Sequence, residues 1–280
     1  MPNDTSALIR HTGIIVSQPR PDDFHLDGLR PYAWYRDFGF AASTDGALAA
    51  HVLRFVPSYD PNVSGKRHVH DVDFQMVYLF KGWISYEFEG VGPIAMQPGN
   101  AWTQPPGIRH TVTGYSDDCE LMELVMPVEY ATIDVDPAGT TPDETTPIGH
   151  LLTRNVAPQR FSVSHPNDPV EPTIGFPPGT VTRDFGFSVA TDGLVDGREL
   201  RFGADGTSDV ITTLQQNVLR LCYVLDGSLE VGDETGRMIA MGPGSCWLEL
   251  PETQRSIGSW KAGTRMFEIT AHVRGRTIGD

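Results

Sequence analysis

Cysteine is scarce in this chain. Its three thiols, Cys119, Cys222 and Cys246, are widely separated, and none belongs to a C-x-x-C pair. An odd and scattered set argues against a disulfide framework and fits a reducing compartment, so a cytoplasmic location is expected. Positive charge is also scarce, with 21 Lys and Arg against 36 Asp and Glu and a formal net charge of −15. That balance argues against nonspecific nucleic-acid binding and against an anionic membrane surface. No apolar run approaches the roughly 18 residues of a membrane span. The opening MPNDTSALIRHTG has no basic region followed by an apolar core, so no signal peptide is expected. Amphipathic helix periodicity is weak almost everywhere. There is no G-x-S-x-G, no P-loop and no dinucleotide-binding glycine fingerprint.

What is present is repetition. RDFGFAASTDG begins at Arg36 and RDFGFSVATDG at Arg183, an offset of 147. Arg54-Phe55 and Arg201-Phe202 keep that offset. Tyr78 to Gly82 then matches Tyr223 to Gly227, Pro98-Gly99 matches Pro243-Gly244, and Glu123 matches Glu268, all at 145. The second copy has therefore lost two residues between Phe202 and Tyr223. Each copy reads as short strands rich in β-branched and aromatic residues, such as FQMVYLF, WISYEFEG, LCYVLDG and SLEVGDE, with Gly and Pro at the turns. Short, regularly spaced strands of this kind predict a sandwich or barrel. With 280 residues, one large or two medium domains are expected. The Pro-, Thr- and Asp-rich stretch from about Tyr130 to Gly175 reads as an extended connector.

Three histidines and a glutamine carry the chemistry. His68, His70 and Gln75 lie in RHVHDVDFQ, and His110 lies in PPGIRH. Strand side chains alternate, so His68 and His70 point the same way and can grip one cation. Asp71 and Asp73 read as solvated turn residues. The other six histidines, His51 among them, read as solvated or hydrogen-bonded.

The arrangement resembles the cupin superfamily. The first cupin motif is a His-x-His pair, an acidic residue a few positions on, and a turn glycine. Here it reads His68-Val-His70, then Gln75, then Gly82. The second is a Pro-Gly turn followed by Pro-x-x-x-His, here Pro98-Gly99 and then Pro106 to His110. The resemblance implies an all-β chain of two tandem cupin (jelly-roll) β-barrels: residues 1–130 with the metal site and an N-terminal arm, a connector over 131–175, and a second barrel over 176–280. It also implies one divalent transition metal per chain, Fe(II) favoured, with Ni, Mn, Cu or Zn as alternatives. Gln75 departs from the family, where Glu is common. It can donate its carbonyl oxygen directly or stand behind the ligands. Either way the ligand set is neutral, and the metal's double positive charge should favour a small, anionic, chelating substrate.

The repeat carries these positions onto Thr213, Gln215, Arg220 and Arg255, none of which suits a transition metal. Arg220 and Arg255 either line an anion pocket or pair with carboxylates such as Glu249 and Glu268; the second is the favoured reading. The resemblance points to a dioxygenase of the flavonol, diketone or aromatic-diol type. Val77, Leu79 and Trp102 are candidate walls of the substrate cavity or core residues. Glu123 is a candidate base or a structural partner. The alternatives are a redox-neutral isomerase, decarboxylase or hydrolase, or a non-enzymatic small-molecule binder. A homodimer is expected; nucleic-acid and membrane partners are not.

Overall fold

The computed structural model describes residues 9–11, 13–26, 28, 30–135, 151–154, 156–173, 176, 178–207, 211–214 and 216–273. Much of the expected connector, and Gln215, lie outside the described residues. Helix is confined to single turns at Ala41–Thr44, Pro61–Ser64 and Phe187–Ala190 among the described residues. Nearly all remaining regular structure is antiparallel strand, as expected for a jelly-roll protein. No described helix is long and apolar enough to cross a membrane.

The chain forms two compact units built from interleaved segments. One comprises Asp22–Asp37 and Gly46–Pro166; the other comprises Met1–Pro21, Phe38–Asp45 and Asn167–Asp280. A split into contiguous halves was expected. The difference arises because Ile14–Ser17 is hydrogen-bonded along Cys246–Glu249, within the sheet of the second copy. The paired arm covers what would otherwise be an open edge of Cys246–Glu249.

The first unit contains a five-stranded and a six-stranded sheet. In the five-stranded sheet the order is Thr132–Asp134, His68–His70, His110–Tyr115, Ile84–Phe88 and Gly92–Met96. In the six-stranded sheet it is Val163–Ser164, Ala101–Thr103, Phe74–Lys81, Glu120–Met126, Ala49–Phe55 and Ala33–Asp37. Burial follows position. Phe74–Lys81 is central and buried along most of its length, whereas Ile84–Phe88 alternates buried and half-buried residues. One hydrophobic cluster includes Leu53, Val77, Leu79, Tyr86, Trp102 and Leu121. Full burial of each such side chain stabilises the unit by about 1.5–3 kcal/mol.

The second unit repeats the plan with an eight-stranded sheet centred on Val218–Asp226 and Arg265–His272. A smaller sheet is built around Gln254–Trp260 and Leu229–Gly232. The matched turn glycines Gly82 and Gly227 both have positive φ, 68° and 75°. A Cβ at Gly82 would meet Ser116 Oγ at 2.0 Å, and one at Gly227 would meet Thr264 Oγ1 at 2.5 Å. Both turns therefore require glycine on conformational and steric grounds, which is why the Lys-Gly and Asp-Gly turns recur at the same place in the repeat.

Candidate metal centre

His68, His70 and His110 converge inside the first unit. One potential ligand atom from each lies within 4.8 Å of the others. Their strands are adjacent, and His110 is the register partner of His68. The ring centroids are 4.4 Å apart for His68 and His110, and 4.8 Å apart for His68 and His70. The outer nitrogens are held by the protein. His68 Nδ1 donates to Lys66 O at 2.8 Å, and His110 Nδ1 donates to Ile108 O at 3.0 Å. His70 Nδ1 is hydrogen-bonded to Thr132 Oγ1 at 2.9 Å, where Thr132 is its register partner. A carbonyl can only accept, so His68 and His110 carry their proton on Nδ1 and present an Nε2 lone pair. His70 Nε2 is buried with no hydrogen-bond partner.

All three imidazoles are held neutral. Burial lowers His110 to about 3, with the neighbouring His68 adding to the effect. Burial also lowers His68, and it lowers His70 strongly, together with the charges of His110 and His68. Three neutral imidazoles with fixed outer nitrogens and free inner ones form a donor set suited to a divalent transition metal.

Gln75 belongs to the other sheet of this unit and is fully buried. Its Nε2 donates to Glu123 Oε1 at 2.7 Å, and its Oε1 is buried without a partner. The carbonyl end of the amide is thus the end available to a cation.

Glu123 is saturated. Arg30 donates to it from Nη1 at 3.1 Å and from Nη2 at 3.0 Å. Gln75 donates to Oε1, and His51 Nε2 is hydrogen-bonded to Oε2 at 3.0 Å. Burial alone would raise its pKa, but the Arg30 charge and the His51 hydrogen bond outweigh it and hold the carboxyl well below the usual range. Four hydrogen bonds from three partners and low basicity fit Glu123 as a structural partner and poorly as a general base. Its charge is offset by Arg30, so the neutral ligand set gains no compensation from it.

A narrow pocket opens beside the histidines. His68, His110, Arg30, Tyr86, Gln104 and Val77 are among its lining residues. Val77 thus takes a wall position. Leu79 and Trp102, the other two candidate walls, pack in the same hydrophobic cluster as Val77 but are not among the lining residues. Asp71 also differs from expectation. It is 3% exposed, not solvated, because residues 151–154 close over it. The Thr153 hydroxyl and backbone N–H donate to its Oδ2, and Arg154 Nε donates to its backbone carbonyl at 2.8 Å. Asp73 is half-exposed, 3.6 Å from Arg154 Nη1.

Arg30 and His51 escaped the motif reading. Neither belongs to a histidine motif, and Arg30 comes from a segment with no strand signature. The repeat held a signal for His51. Its counterpart at offset 147 is Arg198, and each supplies a basic group to the retained glutamate, Glu123 or Glu268.

In the second unit the corresponding space is filled by ion pairs. Arg255 reaches Glu249 at 2.9 Å and Glu268 at 2.6 Å. Arg220 pairs with Glu249 at 3.1 Å, and Arg198 with Glu268 at 2.8 Å. Burial would raise the Glu268 carboxyl, but Arg255 and Arg198 bring it down to about 2. The paired reading of Arg220 and Arg255 is therefore what the geometry shows. No cluster of potential metal ligands other than His68, His70 and His110 is found among the described residues.

By sequence, the chain matches no protein-family profile and no curated protein. By structure it is similar to cupin-fold proteins. A Pseudomonas aeruginosa protein named as glyoxylate-induced superposes with a TM-score of 0.65 at 13% identity, covering 99% of this chain and 94% of that one. Oxalate decarboxylase from Lactobacillus farciminis gives 0.60 at 15% identity, with 90% and 84% covered. Salicylate 1,2-dioxygenase from Pseudaminobacter salicylatoxidans gives 0.57 at 12% identity, with 81% and 71% covered. At these identities the likeness establishes the cupin fold.

Proposed function

We propose that the protein is a metal-dependent enzyme that binds a small organic anion directly at the metal and cleaves it with dioxygen. The observation that carries this reading is the ligand set: three buried imidazoles, each with Nε2 available, and no carboxylate among them. His68, His70 and His110 hold the divalent metal, Fe(II) in the favoured case, and the Gln75 carbonyl completes or tunes its surroundings. When bound, the metal supplies a Lewis-acidic, redox-capable centre with open positions for exogenous ligands.

The chain's own residues then act on the ligand. The neutral imidazoles leave the cation's charge for an anion to balance. Arg30 also lines the pocket, but its charge is balanced by Glu123, so the metal is the charge that the anion meets. Val77, Phe55 and Leu121 form an apolar wall that excludes water and strengthens that attraction. The narrowness of the pocket favours small ligands. Small carboxylates appear in the names of the oxalate decarboxylase and the salicylate dioxygenase that share the fold, which supports a carboxylate as the anion.

The test is metal reconstitution under controlled oxygen. The Fe(II)-loaded chain should consume dioxygen when given a small chelating carboxylate, diketone or aromatic diol. Equal turnover under strict anaerobiosis would sink the dioxygenase reading and leave redox-neutral metal chemistry in its place. Tight anion binding with no turnover in either atmosphere would point to a binding protein.

A further inference from the structure

We infer that Gln104 determines substrate specificity by accepting a hydrogen bond from a hydroxyl group of the anion. The inference rests on the small-anion reading above. Gln104 is 3% exposed and lines the same pocket as His68, His110 and Arg30. Its Oε1 is buried and has no hydrogen-bond partner in the protein. An unpaired buried acceptor is costly, and proteins retain one where a ligand completes it.

The position is fixed by the backbone. Gln104 N–H donates to Gln75 O at 2.9 Å, and the preceding Thr103 N–H donates to Ser162 O at 3.0 Å. The amide is therefore carried beside the glutamine of the metal motif on a segment bonded on both sides. Of the other orphaned acceptors around the histidines, His70 Nε2 and Gln75 Oε1 are accounted for by a cation, and Asp71 Oδ1 lies 4.0 Å from Arg154 Nε and outside the pocket lining. The one carboxylate in the lining, Glu123, already has four hydrogen bonds. Gln104 Oε1 is the acceptor left over, so the ligand group that faces it is a donor. Trp102 Nε1–H is also without an acceptor, but Trp102 lies in the hydrophobic cluster and not in the pocket lining.

These groups describe a two-part ligand. Its anionic end balances the metal, and its uncharged donor meets Gln104. The substrate class is a small hydroxy-substituted carboxylate, with the narrow pocket favouring the compact aliphatic members. A site built to bond a hydroxyl discriminates strongly against the analogue lacking it, because the protein acceptor is then left unpaired.

The experiment compares matched anions on the cobalt(II)-loaded full chain, with the cobalt(II) visible spectrum as the readout of binding. The pairs are glycolate against acetate and salicylate against benzoate. A metal alone favours the hydroxylated member of each pair, so the decisive quantity is the change in that preference between wild type and Gln104→Met. The preference should shrink by at least about tenfold in the variant, with cobalt(II) affinity unchanged. Thermal stability should hold or rise, because the variant removes an unpaired buried amide; a marked loss would make Gln104 structural and overturn the inference. An undiminished preference in Gln104→Met overturns the inference alone. Failure of the wild-type chain to bind cobalt(II) overturns the metal reading and the inference with it.

Discussion

Gln75 Nε2 donates to Glu123 Oε1 across 2.7 Å, which leaves the Gln75 carbonyl as the end without a protein partner. The bond also gives a reason for glutamine at position 75, where the motif that the sequence resembles has an acidic residue. A carboxylate at position 75 would face the Glu123 carboxylate at hydrogen-bond distance, and two such groups do not both stay ionised. The expected outcome is that Gln75→Glu binds a divalent metal no more tightly than wild type at neutral pH, although it adds an anionic ligand. The double variant Gln75→Glu with Glu123→Gln restores the bond with its donor and acceptor reversed. It should bind the metal at least about tenfold more tightly than the single variant, or about 1.4 kcal/mol. Competition titration with cobalt(II) measures both, and a tenfold gain from Gln75→Glu alone would show that Glu123 does not constrain position 75.

How much of this was legible in the sequence depended on whether the signal was local. His68 and His70 share a face because strand side chains alternate, and that required only a two-residue spacing. The repeat exposed the missing ligands of the second copy, and the ion pairs of Arg255 with Glu249 and Glu268 follow from that substitution. Arg30 was illegible because its role depends on a long-range approach to Glu123, 93 positions away. The burial of Asp71 was hidden for the same reason, since it is imposed by residues more than eighty positions later. Trp102 and Leu79 read as cavity wall or, more readily, as core, and only packing could separate the two.

Metal binding should be confined to one unit. His70→Ala removes a ligand whose Nε2 has no other partner, so most bound metal should be lost. Arg255→Ala should leave metal content unchanged. It removes one of the two arginines paired with each of the buried carboxylates Glu249 and Glu268 and leaves Arg220 and Arg198 in place, so the loss of stability should stay below the about 3–5 kcal/mol of a fully stranded buried charge. Metal analysis by atomic absorption, together with urea unfolding, separates the two effects. Equal metal loss from both variants would overturn the single-site assignment.

The metal-free chain should lose stability on acidification in two stages. Burial holds His110 at about 3 and lowers His68 and His70, while imidazoles in the unfolded chain titrate near their ordinary 6.5. Below that value the unfolded state binds more protons than the folded state, so stability is full above about pH 6.5 and falls as the pH is lowered. Each proton taken up on unfolding contributes about 1.4 kcal/mol per pH unit, so His110 alone supplies about that slope near pH 5, and His68 and His70 act in the same direction. The second stage begins below the ordinary carboxylate value of 4.5. There Glu268, held at about 2 by Arg255 and Arg198, and Glu199, lowered by Arg183 and Arg265, remain ionised in the folded chain while their unfolded counterparts take up protons. Urea midpoints measured from pH 8 to pH 3 should trace both stages, and Glu268→Gln should flatten only the lower one. A midpoint that stays level between pH 6.5 and pH 5 would contradict the burial of neutral histidines at the site.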